Sequence, residues 1–518
     1  MYGEPAPGIA YEYAFVKQET PNITLEEVNN SLKSMLNDKN LFIGITMPDK
    51  VGTTYPTEKE LISEYEAASK KTYEAYVDKT PTEPLLKRTP RAGRISGVKD
   101  FSEADAKEYT LSNGAKVIVK KTDFQSDNLQ FAAFSEGGTS LADDNDFRSA
   151  EMAADIVNAN GINSLNATDL SKLLSDKMCN IWPSVTLYNH GLNGSSSVDD
   201  METFFQLIYS YFTGARSDDE SFSSFITTQR ETLLNADKDP SSVFGDTLVA
   251  VLYSHNKRAM DMGINELDKI DQQKALAFYK ERFSNAANFT FVFVGNYEDA
   301  KMEKYIKTYI ASLPGKPAEK ETYRDLGIRK QKGDFVKIVK KGQADKATVI
   351  QVLHNNYKFT ADNNYQISAM LELLNMKLLE EIREELGGVY SIYASPSLMK
   401  YPAEEYGIYI QYTCNPAREN EIIKAVDQVM KSIQNSPASA EELKKIKEMQ
   451  LKELEKESKD NNFWLNALKG SLQYDYPFLT IEQRKARINK LTVKDIQTAA
   501  KTYLNTTNYG KFILNPEK

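Results

Sequence analysis

The 518-residue chain is 41% hydrophobic and 26% charged, the make-up of ordinary globular protein with length for three or four domains' worth of core. Its 73 acidic and 64 basic residues give a net charge of −9, which excludes a basic footprint for nucleic acid and names no other partner. Two cysteines far apart in sequence, Cys179 and Cys414, exclude a disulfide framework and a cysteine-based zinc site, and both are expected to be small buried residues.

In chain order, a helix is predicted over residues 25–36, then Asn37 and Asn40, then a short apolar strand, LFIGITM, ending at Pro48. A helix capped by Thr57 and Glu60 follows, and a proline-bearing stretch runs to about residue 100. Strand-like material begins at EYTLSNGAKVIVKK, where Asn113-Gly114 signals a hairpin, and continues in NLQFAAFSEGG. The acidic run Asp143, Asp144, Asn145 and Asp146 lacks the glycine and distal glutamate of a calcium loop and reads as a solvated turn. The amphipathic METFFQLIYSYF precedes a capping-box start at Ser217 and Glu220. KALAFYKERF then leads to Asn285 and Asn288 and the strand FTFVFVGN.

The same succession recurs. FVKIVKK and KATVIQVLHNN are strands, ENEIIKAVDQVMKSI precedes a capping box at Ser439 and Glu442, and VKDIQTAAKTYL leads to Asn505 and Asn508 and the strand YGKFILNP. The helix opening at Ser439 carries an apolar stripe of Leu443, Ile446, Met449 and Leu454 and reads as one core face with one wet face. Helix, Asn-Xaa-Xaa-Asn and strand therefore occur three times, the first time without the body of a unit before it. The fold class that follows is α+β: tandem duplicated units, each a mixed or antiparallel sheet covered by helices on one face. The expected divisions are 1–50, the tail of a preceding unit; 51–100, a helical linker; 101–325, a first complete unit; and 326–518, a second. On this reading the chain is the end of a longer polypeptide; the other reading is an independent small amino-terminal extension with a chance Asn pair. Residues MYGEPAPGIAYEYAF show no export signal, so any such signal, and with it a periplasmic location, would lie upstream of Met1; no apolar run reaches membrane-spanning length.

The segment LLEEIREELGGVYSIYASPSL carries the most specific candidate chemistry. Arg383 stands at the end of a long helix, Gly387 and Gly388 stop it, and Tyr390 lies on the strand that follows. A sharp reversal at the glycines brings guanidinium and phenol to one surface, where two donors can meet one carbonyl oxygen. Taken by residue type alone, a solvated helix-end cation and a half-buried strand aromatic are the commoner outcome.

The duplicated units, the linker, the Leu-Ser-Asn113-Gly114-Ala-Lys-Val opening and Arg-Xaa6-Tyr after a long helix resemble the pitrilysin/insulinase family of zinc metallopeptidases over nearly the whole chain. The resemblance implies four such units in two halves, or paired subunits, closing around a peptide chamber. The first half of such enzymes carries His-Xaa-Xaa-Glu-His with a downstream glutamate. The second carries an Arg and a Tyr that reach the substrate, and these correspond to Arg383 and Tyr390. This chain departs from the catalytic pattern: its three histidines, His190, His255 and His354, are isolated, and DDNDFRSAEMAADIVNANG, where a zinc helix is expected, offers Glu151 but no imidazole. The expectation is a carboxy-terminal half with no metal ligands of its own. Its zinc would lie in a complementary amino-terminal half, on the same polypeptide or a separate subunit, its substrate would be a peptide or unfolded polypeptide, and neither nucleic acid nor membrane would be a partner. Two other readings stay open: a catalytically inactive peptide-binding or scaffold subunit of the same fold, and, as a residual, an unrelated α+β enzyme using carboxylates in a cleft.

Overall fold

The structure, a computed structural model, describes residues 7–35, 41–47, 52–74, 77 and 81–517. The chain divides into two compact units, Met1–Lys79 and Thr80–Lys518.

In the first unit the helices Ile9–Glu19, Leu25–Met35 and Glu58–Lys70 bury no residue. Thr57 and Glu60 form the expected capping box. Thr24 and Glu27 do the same: the Thr24 N–H donates to the Glu27 carboxylate at 2.8 Å and the Glu27 N–H to Thr24 Oγ1 at 3.2 Å. Residues 41–47, expected as a strand, form none. A strand exists by its ladder, and no described segment pairs with this one. The first Asn pair, Asn37 and Asn40, lies outside the described residues, as does Pro48.

The second unit holds two sheets. Strands β1 (Ile95–Phe101), β2 (Ala106–Leu111), β3 (Lys116–Lys121), β4 (Leu129–Glu136), β5 (Cys179–Val185), β6 (Asn189–Ser196) and β7 (Thr290–Gly295) pair in the order β1-β2-β3-β7-β4-β6-β5. Strands β8 (Asp334–Lys340), β9 (Ala347–Asn356), β10 (Val389–Met399), β11 (Glu405–Cys414) and β12 (Tyr509–Asn515) pair in the order β10-β11-β9-β12-β8. The return strand is interior in both: β7 runs parallel to β3 and antiparallel to β4, and β12 parallel to the edge strand β8 and antiparallel to β9. The chain is thus an α+β duplication, with β1 and β2 extending the first sheet; β1 is drawn from the stretch read as linker.

Local chemistry explains the recurring pieces. Gly114, at φ +88°, closes the β2–β3 hairpin with its N–H on the Leu111 carbonyl at 2.9 Å. Asn285 Oδ1 accepts from the Ala287 N–H at 3.2 Å and Asn505 Oδ1 from the Thr507 N–H at 3.3 Å, the same side-chain-closed turn between closing helix and return strand. Asn508 Oδ1 in turn accepts from the Gly333 N–H at 2.9 Å and fastens β12 beside β8. Ser439 and Glu442 make the expected capping box. In the first repeat the cap is Asp218, one residue beyond Ser217: its carboxylate accepts from the Ser221 N–H at 2.9 Å, and the Ser217 hydroxyl instead bonds Gln272. Met449, assigned to the apolar stripe of the second capped helix, is 55% exposed, and Gln450 takes the buried place.

Each sheet packs its own helices on one face, around Phe131, Phe205 and Phe293 in the first repeat and Leu374, Ile408 and Val426 in the second. The other face of each is covered from the opposite repeat. Trp464, Leu465 and Leu468 of helix Asn461–Tyr474 lie against Ile118, Ala132, Val292 and Val294 of the first sheet. Phe244, Leu248 and Leu252 of helix Pro240–Leu252 lie against Val352, Phe512 and Leu514 of the second. No helix among the described residues is long and apolar enough to cross a membrane.

Candidate functional site

Arg383 lies in the π-helical continuation Leu378–Glu385 of helix Ala361–Lys377, a wider turn in which Ile382 points into the core and Arg383 to solvent. The helix stops where the Leu386 N–H reaches back to the Glu381 carbonyl and the Gly388 N–H to Ile382, both at 3.1 Å. Gly387 takes φ +59°, the left-handed conformation that a glycine adopts without cost. Gly388 is required by space, since a Cβ there would lie 2.2 Å from Ile422 Cδ1. Arg418 holds the turn from outside, its guanidinium donating to the carbonyls of Gly387 and Leu386 at 3.3 and 3.4 Å.

Strand β10 starts directly after the turn and forms the edge of its sheet. Its pairing with β11 shifts between Val389 and Ile392, so Tyr390 and Ser391 bulge from the ladder. Val389 and Ile392 are buried on either side, while Tyr390 is 86% exposed. Among the described residues neither the Arg383 guanidinium nor the Tyr390 hydroxyl has a hydrogen-bond or ion-pair partner within the chain, and no hydrogen bond joins the two.

The histidines do not fit a metal. His190 is buried with both ring nitrogens used: Nδ1 accepts from the Gly138 N–H at 3.3 Å and Nε2 donates to the Arg282 carbonyl at 3.1 Å. Burial, reinforced by the Arg282 charge, pushes its pKa down to about 3. His354 donates from Nε2 to the Gln331 carbonyl at 2.9 Å, beside the buried pair of Lys330 and Glu405, and burial and the Lys330 charge lower its pKa. His255 occupies a left-handed turn at φ +57°. Glu151 is engaged by Arg148, which also pairs with Glu266. Among the described residues no three or more His, Cys, Asp or Glu side chains are grouped to hold a metal ion. Cys414 is buried and Cys179 half-buried; both are free, with thiols pushed up to about 11 by burial, so neither is an activated nucleophile.

Three polar clusters escaped sequence reasoning. Glu372 receives both Gln450 N–H bonds, Lys330 is buried against Glu405, and the Tyr509 hydroxyl donates to Asp427 at 2.5 Å. Each joins residues from distant elements, and no spacing signal announces them.

This geometry defines an α+β chain of tandem repeats with a solvent-facing Arg and Tyr around one edge-strand turn. Residues 269–450 match the family model described as the peptidase M16 inactive domain. The chain is 22% identical over 494 residues to a zinc protease PQQL-like protein of Arabidopsis thaliana, covering 90% of this chain and 48% of that one. It is 25% identical over 410 residues to the probable zinc protease PqqL of Escherichia coli K12, covering 76% and 42%. The crystal structure of the periplasmic protease PqqL from Escherichia coli superposes with a TM-score of 0.74 at 21% identity, over 99% of this chain and 56% of that one. The resemblance to the pitrilysin/insulinase family is thereby borne out as a resemblance: residues 269–450 match an M16 inactive domain, and the relatives that align along the chain are named as zinc proteases. It spans about half the length of the curated relatives it matches.

Proposed function

We propose that this chain is the carboxy-terminal, substrate-handling half of a zinc-dependent metalloendopeptidase acting on peptides or unfolded polypeptides. Residues 1–50 are then the tail of a preceding repeat, 51–100 a linker, 101–325 a complete repeat without metal ligands, and 326–518 the repeat that carries Arg383 and Tyr390. The partner is an amino-terminal zinc-bearing half, on the same polypeptide or a separate subunit.

The observation that carries the reading is the pair of partnerless donors, Arg383 and Tyr390, flanking the Gly387-Gly388 turn at the open edge of a sheet. An arginine is charged at every physiological pH, and a phenol donates while neutral. Both suit the carbonyl oxygen of a bound peptide, whose negative charge grows as its bond is broken in the complementary half. Donors fixed where charge develops stabilise the transition state more than the bound peptide. The turn supplies the fixing, because Gly387, Gly388 and Arg418 determine how helix end and strand start meet.

Arg383→Ala in the assembled enzyme is expected to lower turnover of a quenched unstructured peptide by about 10²–10³, with Tyr390→Phe a weaker loss of the same kind. Full turnover in both variants would remove the pair from the mechanism. A second reading, a peptide-binding or scaffold subunit, is favoured by the wholly uncharged edge strand VYSIYASPSLM, whose free ladder suits an extended peptide. An assembly that binds the peptide and leaves it uncleaved would decide for it.

A further inference from the structure

A cavity of about 390 Å³ lies where the segment joining the two repeats meets the strand ends of the second sheet. Lys330 comes from that segment, His354 from the end of β9, Glu405 from the start of β11 and Asn508 from the turn before β12. All four are more than nine-tenths buried, at 4%, 4%, 7% and 7% exposure. Each also keeps hydrogen-bonding capacity that the chain does not use. Lys330 gives one of its three N–H donors to Glu405 Oε2 at 3.3 Å and makes no other hydrogen bond. Asn508 accepts through Oδ1 from Gly333, and its two N–H donors are free. Among the described residues Glu405 Oε1 and His354 Nδ1 have no partner either. None of these atoms is sealed in the packed interior, so they open to the cavity.

The free groups are of both kinds. His354 Nε2 bonds a carbonyl and so carries the ring proton; burial and the Lys330 charge keep the ring neutral at neutral pH, which leaves Nδ1 an acceptor. The cavity floor therefore offers donors from Lys330 and Asn508 and acceptors from Glu405 and His354. At the mouth Arg329 is taken by Asp325 and Glu404 by Lys358, which leaves the exposed Lys332 as the unpaired charge among the described residues of the lining. The volume is at the small end of the range of ligand cavities, about 300–1,000 Å³.

We propose that this cavity binds a free α-amino acid with an acidic side chain. The α-carboxylate takes the N–H donors of Lys330 and Asn508, the ammonium donates to Glu405 Oε1 and His354 Nδ1, and the side-chain carboxylate meets Lys332. A simple anion would leave the two acceptors unmatched and a simple cation the two donors, whereas a zwitterion satisfies both sets. The site is separate from the Arg383 and Tyr390 turn: Glu405 pairs with Met399, at the far end of β10 from Val389, roughly 30 Å along the strand. The proposal therefore stands or falls independently of the peptidase reading.

Calorimetry of the purified full chain at neutral pH with L-glutamate, L-glutamine and glutarate tests it. Glutamate is expected to bind, with glutarate, which lacks the ammonium, weaker by ~10-fold or more, and glutamine weaker by about 2–5-fold, the scale of an exposed ion pair. Lys332→Ala, at an exposed position, should remove the preference for glutamate over glutamine and leave the affinity for glutamine unchanged. Asn508→Asp keeps the acceptor for the Gly333 N–H and sets a negative oxygen where the α-carboxylate binds, so glutamate should bind at least ~10-fold more weakly with the thermal midpoint retained. Should that variant fail to fold, the ligand series and Lys332→Ala still decide. A cavity that holds water only, giving no binding heat at millimolar glutamate, would overturn the proposal. So would equal affinity for glutarate and glutamate, or a preference for glutamate that survives Lys332→Ala.

Discussion

Glu372 lies between Leu371 and Leu373 on helix Ala361–Lys377, and burial, opposed by its hydrogen bonds from Gln450, raises its pKa to about 7. Gln450 Nε2 donates to both carboxylate oxygens at 2.9 and 3.0 Å, and Tyr365 Oη donates to Gln450 Oε1 at 2.8 Å, which orients the amide. The folded pKa stands above the ordinary 4.5, so the folded state holds the proton more tightly. The stability this contributes is present below about pH 4.5 and is lost as pH rises through about 7. Glu372→Gln removes the ionisation and keeps the shape. Because the group is partly open to water, the variant is expected to gain only about 1–2 kcal/mol at about pH 8 and nothing near pH 4.5. Urea midpoints at the two pH values check this. A loss at the higher pH would mean that the Gln450 bonds to the carboxylate outweigh the cost of burying it.

At the scale of elements, the turn that launches β10 depends on a missing side chain. Gly388 faces Ile422, which is 0% exposed, and a methyl there collides with its Cδ1. Gly388→Ala is expected to destabilise by about 1–3 kcal/mol through overpacking. Ile422→Val deletes the colliding atom, so the double variant should lose less than the sum of the singles, which a thermal-unfolding cycle measures. Additive losses would place the need for glycine elsewhere. This turn was legible in the sequence because its signals are local: two glycines after a long helix, then an apolar strand. The Asn turns, the Asn113-Gly114 hairpin and the Ser439 cap were legible for the same reason. The cap at Asp218 was missed by one residue because Ser217 and Asp218 are both good caps and Gln272, far along the chain, engages the serine. Residues 41–47 have the composition of a strand, but pairing is not written in composition. Arg383 and Tyr390 were singled out by their spacing across the glycines together with the family resemblance; that they lack partners and that β10 is an edge strand are facts of the fold.

Across the whole of Thr80–Lys518, neither repeat keeps both faces of its sheet to itself, and this exchange was invisible in the sequence. Phe244, Leu248 and Leu252 recur at helical spacing within the first repeat, and only the fold sends them to the other. The exchange predicts that the repeats unfold together. Leu468, 0% exposed in the second repeat, is packed against Ile118, Ala132, Val292 and Val294 of the first sheet. Leu468→Ala leaves a cavity and is expected to cost about 2–5 kcal/mol. If the two sheets share one cooperative transition, amide exchange in β4 and in β9 should accelerate by the same factor, although β9 belongs to the other sheet. Acceleration in β4 alone would mean that the repeats open independently and that the exchanged helices are adhesive rather than structural. Equal acceleration would make the unit a single rigid frame, in which the turn bearing Arg383 and Tyr390 is held by the stability of both repeats.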